Sequence, residues 1–165
     1  MKIRAALPTD LEQIINIYSH ARRFMSENAN PDQWGDSYPS KEIITADLEG
    51  GHLFVLVDDD NALAGVFSCF IEGDPDYDVI NGAWLNDEPY TAIHRIASAG
   101  THKGVFSHIL DYCRSFSKNI KIDTYKDNHI MQALLKKHGF EFCGTITVEG
   151  VDDMEFIAFQ LVNKE

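Results

Sequence analysis

The sequence predicts an α/β (α+β) domain, a mixed sheet of about seven strands with helices on both faces. Three observations carry that expectation. Residues 93–116, IHRIASAGTHKGVFSHILDYCRSF, read as a strand, a polar turn and a helix whose Val105, Ile109, Tyr112, Cys113 and Phe116 fall on one face. Strand-like and helix-like segments follow one another along the chain in the order β-α-α-β-β-β-α-β-α-β-β. At 165 residues and 44% hydrophobic content, the chain is long enough to bury a core as one domain, 1–165.

The elements follow in order. Lys2–Leu7 is the first strand. Thr9 is placed to cap a helix, with Glu12 completing a capping box, and Leu11, Ile14, Ile15, Tyr18, Ala21 and Met25 form its buried stripe. Residues 26–39 are loop, with Trp34 and Tyr38 embedded in it. Ser40 caps a short helix that Gly50-Gly51 ends. Two hairpin strands, His52–Val57 and Ala62–Ile71, are joined by an acidic turn, Asp58-Asp59-Asp60-Asn61, which lacks the spaced ligands of a calcium loop. Residues 72–90 form a long insert with six acids and three aromatics. After the 93–116 stretch come the strand Asn119–Tyr125 and a helix capped at Asp127-Asn128, with Ile130, Leu134 and His138 at helical spacing. Gly139 follows as the terminating glycine. Strands Phe140–Thr147 and Met154–Val162, joined by the turn Glu149–Asp153, complete the chain.

Composition narrows the function. A net charge of −12 argues against nucleic acid as the main partner. No apolar run approaches the ~20 residues needed to span a bilayer, and the N-terminal stretch has no signal-peptide core. Cys69, Cys113 and Cys143 are widely spaced and odd in number, which fits neither a disulfide framework nor a metal site. They read as reduced core thiols of a cytoplasmic protein. Residues 102–137 carry seven Lys/Arg against three Asp/Glu, so the basic third of an acidic chain begins at the glycine turn. A glycine turn opening a helix directs backbone N–H groups and the positive end of the helix dipole toward one place, which suits phosphate. The turn is neither a dinucleotide fingerprint nor a Walker loop, since it lacks both Gly-x-Gly-x-x-Gly and Gly-Lys-Ser/Thr.

Thr101-His102-Lys103-Gly104-Val105-Phe106 lies in the register of a turn pattern Gln/Arg-x-x-Gly-x-Gly/Ala. Arg95-Ile96-Ala97 precedes it, and a later helix runs from Asn128 to Gly139-Phe140. On these residues and the element order, the chain resembles the GNAT superfamily of acyl-CoA-dependent N-acyltransferases over essentially its full length. The resemblance implies a GNAT-like, mostly antiparallel sheet and acetyl-CoA as co-substrate, without a metal. Acetyl would move by direct attack of a primary amine, carried by a small-molecule or peptide acceptor, with no nucleic acid or membrane involved. It also implies that the backbone of Ile96, Ala97 and Ser98 pairs with the pantetheine arm, that His102, Lys103, Gly104, Val105, Phe106 and Ser107 wrap the pyrophosphate, and that Asn128 bonds CoA. A homodimer through a late strand is common in the family, though no residue here specifies one.

Three positions depart from the family pattern. Thr101 replaces Arg or Gln, Phe106 replaces Gly or Ala, and Leu135 stands where many members carry a proton-donating tyrosine. His94 and Glu72 are rival candidates for the general base, with Tyr125 as a candidate acid. Trp34, Tyr38, Trp84 and Tyr90 are loop aromatics suited to walling an acceptor pocket, and the acids of 72–90 suit a cationic acceptor. The alternative is a catalytically weak or inactive CoA-binding or ligand-sensing GNAT-like module, which the three departures favour.

Overall fold

The computed structural model describes residues 1–148 and 151–164, apart from the side chains of 151–153. Among the described residues the fold is mixed α/β, with a mostly antiparallel open sheet of eight strands and four helices. The strands are β1 (Lys2–Ala5), β2 (Leu53–Val57), β3 (Leu63–Phe70), β4 (Asn81–Gly82), β5 (Thr91–Ser98), β6 (Asn119–Tyr125), β7 (Glu141–Val148) and β8 (Val151–Val162). The helices are α1 (Leu11–Glu27), α2 (Lys41–Glu49), α3 (Val105–Arg114) and α4 (His129–Lys137). Among the described residues no helix is long and apolar enough to cross a membrane. The chain divides into two compact units, Met1–Cys69 with His94–Tyr112, and Phe70–Ile93 with Cys113–Glu165.

In the first unit β1, β2 and β3 pair antiparallel in that order. Alternation along β2 sends Leu53, Val55 and Val57 to one face, where they join Ile14, Ile17 and Tyr18 of α1 and Ile44 of α2 in a core. Phe54 points the other way, where Phe67 stacks on it at 5.6 Å and Tyr112 of α3 closes on it at 5.8 Å. Helices therefore cover both faces of this sheet, as the sequence predicts. The expected α1 stripe is present, with Leu11, Ile15, Ala21 and Met25 packed around the buried Ile14 and Tyr18. The acidic turn 58–61 is ordered by its own first residue, since Asp58 Oδ1 accepts from the N–H groups of Asp60 and Ala62, both at 2.9 Å.

The entry to α1 differs from expectation. A short 3-10 turn, Pro8–Asp10, precedes the helix, and the anchor is Asp10, not Thr9 with Glu12. The Asp10 carboxylate accepts from Leu7 N–H at 2.8 Å and from both terminal nitrogens of Arg4, at 2.7 and 3.0 Å. Pro8 starts a tighter turn, which moves the anchoring position one residue on. The hydrogen bonds from Arg4, more than the Leu7 N–H, hold the Asp10 carboxyl below its usual range against an opposing effect of burial. A depressed carboxylate pKa adds stability above the unfolded value, near pH 4, and that stability is lost as the pH falls through the folded value. Asp10→Asn should therefore flatten the acid limb of the melting-temperature profile below about pH 4. An acid limb of unchanged steepness would remove Asp10 as a contributor.

In the second unit the strand order is β6-β8-β7-β4, and the start of β5 lies parallel to β6, with Thr91 opposite Ile120 and Ala92 opposite Lys121. The sheet has one strand more than the seven expected, because Asn81–Gly82 of the long insert pairs with β7. The pairing sets Gly82 against Gly144, and a Cβ added to either would collide with the other strand's backbone. A two-residue strand at a glycine carries no alternation that a sequence pattern could reveal. A core of Tyr77, Ala92, Tyr125, Ile146, Phe156 and Ala158 fills this unit. Gly139 ends α4 with φ +88°, as expected. Leu135 is the wholly buried residue of α4, whereas Ile130 is half exposed and Phe116, beyond the end of α3, is too. Strand β8 begins at Val151, three residues before the expected start; Glu149 and Gly150 of the expected turn lie outside the described residues.

Candidate active site

The joint from β5 through the turn to α3 lies in the first unit and holds most of the residues singled out in the sequence. Gly65 on β3 lets this joint form. A Cβ there would meet Val105 Cγ1 at 2.8 Å and the Ala97 carbonyl at 3.0 Å. Its lack of a side chain thus brings the start of α3 and the end of β5 onto the sheet. Ala99 N–H continues the ladder by donating to Ala64 O at 2.9 Å.

The turn is then built from local bonds. Gly100, with φ +78°, donates its N–H to Ser98 Oγ at 3.0 Å. His102 lies 2.8 Å from Thr101 Oγ1 through Nδ1 and 3.4 Å from Asp58 Oδ2 through Nε2, so the β2–β3 turn buttresses it. Gly104 also has φ +78°, a conformation costly for other residues, and its carbonyl accepts from His108 N–H at 3.1 Å. Only His108 Nδ1, at 3.8 Å, lies near a Cβ placed on Gly104, and Thr101 to Gly104 are all exposed. The result is a solvent-facing backbone turn at the positive end of α3, with Lys103 beside it. Val105 and Phe106 are buried, and Ser107 is partly so. Phe106 thus points its ring into the protein at 6% exposure, while its backbone belongs to the first turn of the helix.

Upstream, His94 and Ile96 are half-buried, Ala97 is buried and Ser98 half-buried. Between them Arg95 adopts φ +51°, a left-handed residue within a strand. Its guanidinium makes a bidentate pair with Asp47 of α2, Nε to Oδ2 at 2.7 Å and Nη2 to Oδ1 at 2.9 Å, and Nη1 donates to Tyr38 Oη at 3.1 Å. Tyr18 Oη donates to the Arg95 carbonyl at 2.7 Å, and Ser68 Oγ donates to Asp47 Oδ2 at 2.6 Å. Burial works against the guanidinium charge, but Tyr38 and the Asp47 carboxylate outweigh it and hold the Arg95 pKa above its ordinary value. Burial raises the Tyr18 phenol far out of the titrating range, so it stays a donor. Of the first unit's candidate pocket aromatics, Trp34 is buried against Tyr18 at 5.7 Å and Tyr38 at 6.1 Å, and Tyr38 reaches Arg95.

In the second unit the 72–90 insert is folded onto the sheet. Tyr77, Trp84 and Tyr90 cluster, with Trp84 5.2 Å and Tyr90 6.0 Å from Tyr77. Tyr77 Oη donates to Asp123 Oδ2 at 2.7 Å, Trp84 Nε1 donates to the Tyr77 carbonyl at 2.9 Å, and Tyr90 Oη exchanges two hydrogen bonds with the backbone of Asp74. Trp84 and Tyr90 together receive a cation from the chain itself, for Lys121 Nζ lies 4.1 and 3.8 Å from their ring centres. Burial holds the Lys121 pKa below its usual value. Glu72 is exposed at the start of the insert. Tyr125 is buried against Phe156 at 5.7 Å, and Asn128 Oδ1 caps α4 through Met131 N–H at 3.0 Å.

The first unit therefore brings together Ile96, Ala97, Ser98 and the 102–107 turn, and sets Tyr38 against the residue after His94. In the second, Trp84 and Tyr90 adjoin each other, and Tyr125 shares their core. The Asp47–Arg95 couple and Lys121 were missed by sequence reasoning. The available signal was a cation flanked by apolar residues in a strand, Arg95 before Ile96-Ala97 and Lys121 between Ile120 and Ile122, which demands a partner without naming it. Among the described residues no group of three or more His, Cys, Asp or Glu side chains is arranged to hold a metal ion.

Comparison with known proteins gives consistent findings. The sequence model described as the acetyltransferase (GNAT) family matches residues 11–140. An acetyltransferase of the GNAT family from Streptococcus agalactiae 2603 superposes with a TM-score of 0.86 at 26% identity, over 99% of this chain and 96% of its own. One from Listeria monocytogenes 4b F2365 gives 0.71 at 20% identity, over 98% and 94%. The yncA protein of Salmonella typhimurium, solved with its cofactor acetyl-CoA, gives 0.62 at 18% identity, over 99% and 94%. No curated protein matches the chain.

Proposed function

The chain belongs to the GNAT acetyltransferase family and has its acetyl-CoA-binding fold, and from that premise we propose that it moves an acetyl group from acetyl-CoA to a primary amine on a small-molecule or peptide acceptor. The carrying observation is the exposed turn at Gly104, left-handed in φ, opening α3 next to Lys103. In this reading the backbone of His102 to Ser107 takes the pyrophosphate, Asn128 adds a CoA contact, and Ile96 to Ser98 pair with the pantetheine arm. The whole chain then acts as one acyltransferase domain.

The amine nitrogen bonds to the carbonyl carbon, and a tetrahedral oxyanion forms. The carbon–sulfur bond then breaks, and CoA leaves as thiolate. His94 or Glu72 takes the amine proton, and Tyr125 is the candidate donor to the thiolate. The acids of 72–90 favour a cationic acceptor, with Trp34, Tyr38, Trp84 and Tyr90 as its candidate walls. A second reading, CoA binding without turnover, is favoured by the wholly buried Leu135 at the family's tyrosine position.

Calorimetric titration with acetyl-CoA and with CoA tests both. Micromolar affinity, about −8 kcal/mol, is expected, followed by thiol release with a suitable amine. Affinity without thiol release across a broad amine panel selects the second reading, and no binding up to millimolar overturns both.

A further inference from the structure

Arg95 combines two features that would not ordinarily coincide. Its backbone is left-handed at φ +51°, a conformation that glycine adopts without strain and arginine does not. Its side chain is fixed in three hydrogen bonds, two to Asp47 and one to Tyr38, while Tyr18 holds its carbonyl. Asp47 is itself fixed by Ser68. A buried ion pair serving only as a staple would place no demand on the backbone of the strand. Here the anchor acts on the one residue of β5 that breaks strand geometry, immediately before Ile96 to Ser98. A left-handed residue in a strand re-aims the peptide groups that follow it and takes them out of the regular ladder.

We propose that Asp47 and Arg95 form a positioning couple that holds the kink in β5, so that the backbone after it meets the thioester carbonyl of acetyl-CoA. The inference rests on the acetyl-transfer reading above and names the side chains on which that backbone geometry depends. Neither residue touches the reacting atoms; they act through the peptide groups of Ile96 to Ser98. Arginine suits this task better than lysine, because its planar fork fixes direction as well as charge when it pairs bidentately with a carboxylate.

The test uses the full chain with acetyl-CoA and needs no acceptor. Isotope-edited infrared spectroscopy reads the carbonyl stretch of bound, isotope-labelled acetyl-CoA, while calorimetry reads its affinity. In the wild type the stretch should shift to lower frequency on binding. In Arg95→Ala it should return toward the free value, and in Arg95→Gly only part of the way, because glycine takes the left-handed conformation without strain but lacks the anchor. Affinity should stay within about threefold in both because the pyrophosphate turn is intact. Arg95→Lys should lie between. Once an accepting amine is found, kcat should fall at least ~10-fold with the KM for acetyl-CoA little changed. If the arginine variants do not fold, Tyr18→Phe, which removes the bond to the Arg95 carbonyl and leaves the guanidinium paired with Asp47, should still lower the carbonyl shift. A wild-type shift retained in the alanine variant, or in Tyr18→Phe where that variant does not fold, would overturn the couple while leaving acetyl transfer standing. Failure of the wild type to bind acetyl-CoA would overturn both, and binding without any carbonyl shift would overturn the couple alone.

Discussion

Gly104→Glu should raise the dissociation constant for CoA at least ~100-fold, which corresponds to about 3 kcal/mol, and leave the fold in place. Two effects act in the same direction. A glutamate at φ +78° is strained by about 1–2 kcal/mol, which shifts the turn that presents the helix N-terminus. Its carboxylate also enters a site whose character is anion-binding and repels the pyrophosphate at close range. The nearest neighbour of an added Cβ is His108 Nδ1 at 3.8 Å, so nothing in the packing requires the fold to fail. Gly104→Ala separates the two effects, because it strains the turn without adding charge and should cost no more than about tenfold. Calorimetry with CoA, alongside far-ultraviolet circular dichroism, reads both variants. Unchanged affinity in Gly104→Glu would sink the pyrophosphate assignment.

Asp47→Ala is expected to give the largest loss of stability. It leaves the Arg95 guanidinium, whose side chain is 14% exposed, without the carboxylate that pairs with it twice, and it takes the acceptor from Ser68 Oγ. Breaking a buried pair from one side costs about 3–5 kcal/mol. The remaining bond to Tyr38 puts the expectation at the lower end, about 3 kcal/mol, or a fall of about 6–12 °C in melting midpoint for a chain of this size. Asp47→Asn keeps the shape and part of the hydrogen bonding, and should lose less. Thermal or denaturant unfolding measures both. A change below about 1 kcal/mol in Asp47→Ala would mean that the site is wet enough for water to replace the carboxylate.

The fold was legible where periodicity and capping chemistry act locally. Ser40 does cap α2, with Oγ accepting from Ile43 N–H, and the α1 stripe packs as its spacing demands. Asn128 caps α4 and Gly139 ends it for the same local reasons. Thr9 failed as the anchor because Pro8 tightened the turn and Arg4, six residues from Asp10, supplied a partner that a capping rule does not consider. The β5–α3 joint was legible because glycine spacing and a change of period mark it. Its supports were not. Asp47 and Arg95 are 48 residues apart, and nothing local tells that the one charged residue of α2's inner face meets the one cation of β5. Trp84 and Tyr90 were singled out as walls of an acceptor pocket, and nothing in their spacing tells that their rings meet Lys121 of β6.

The glycine pair between β4 and β7 bears on how this chain tolerates change. At most contacts a larger residue on one side can be matched by a smaller one on the other. Where Gly82 faces Gly144 there is nothing left to shrink, since each Cβ would strike main chain and not a side chain. The two positions cannot compensate for each other, and a substitution at either must shift a strand. The placement of the insert that carries Tyr77, Trp84 and Tyr90 is therefore pinned at a point where sequence drift has no second-site remedy.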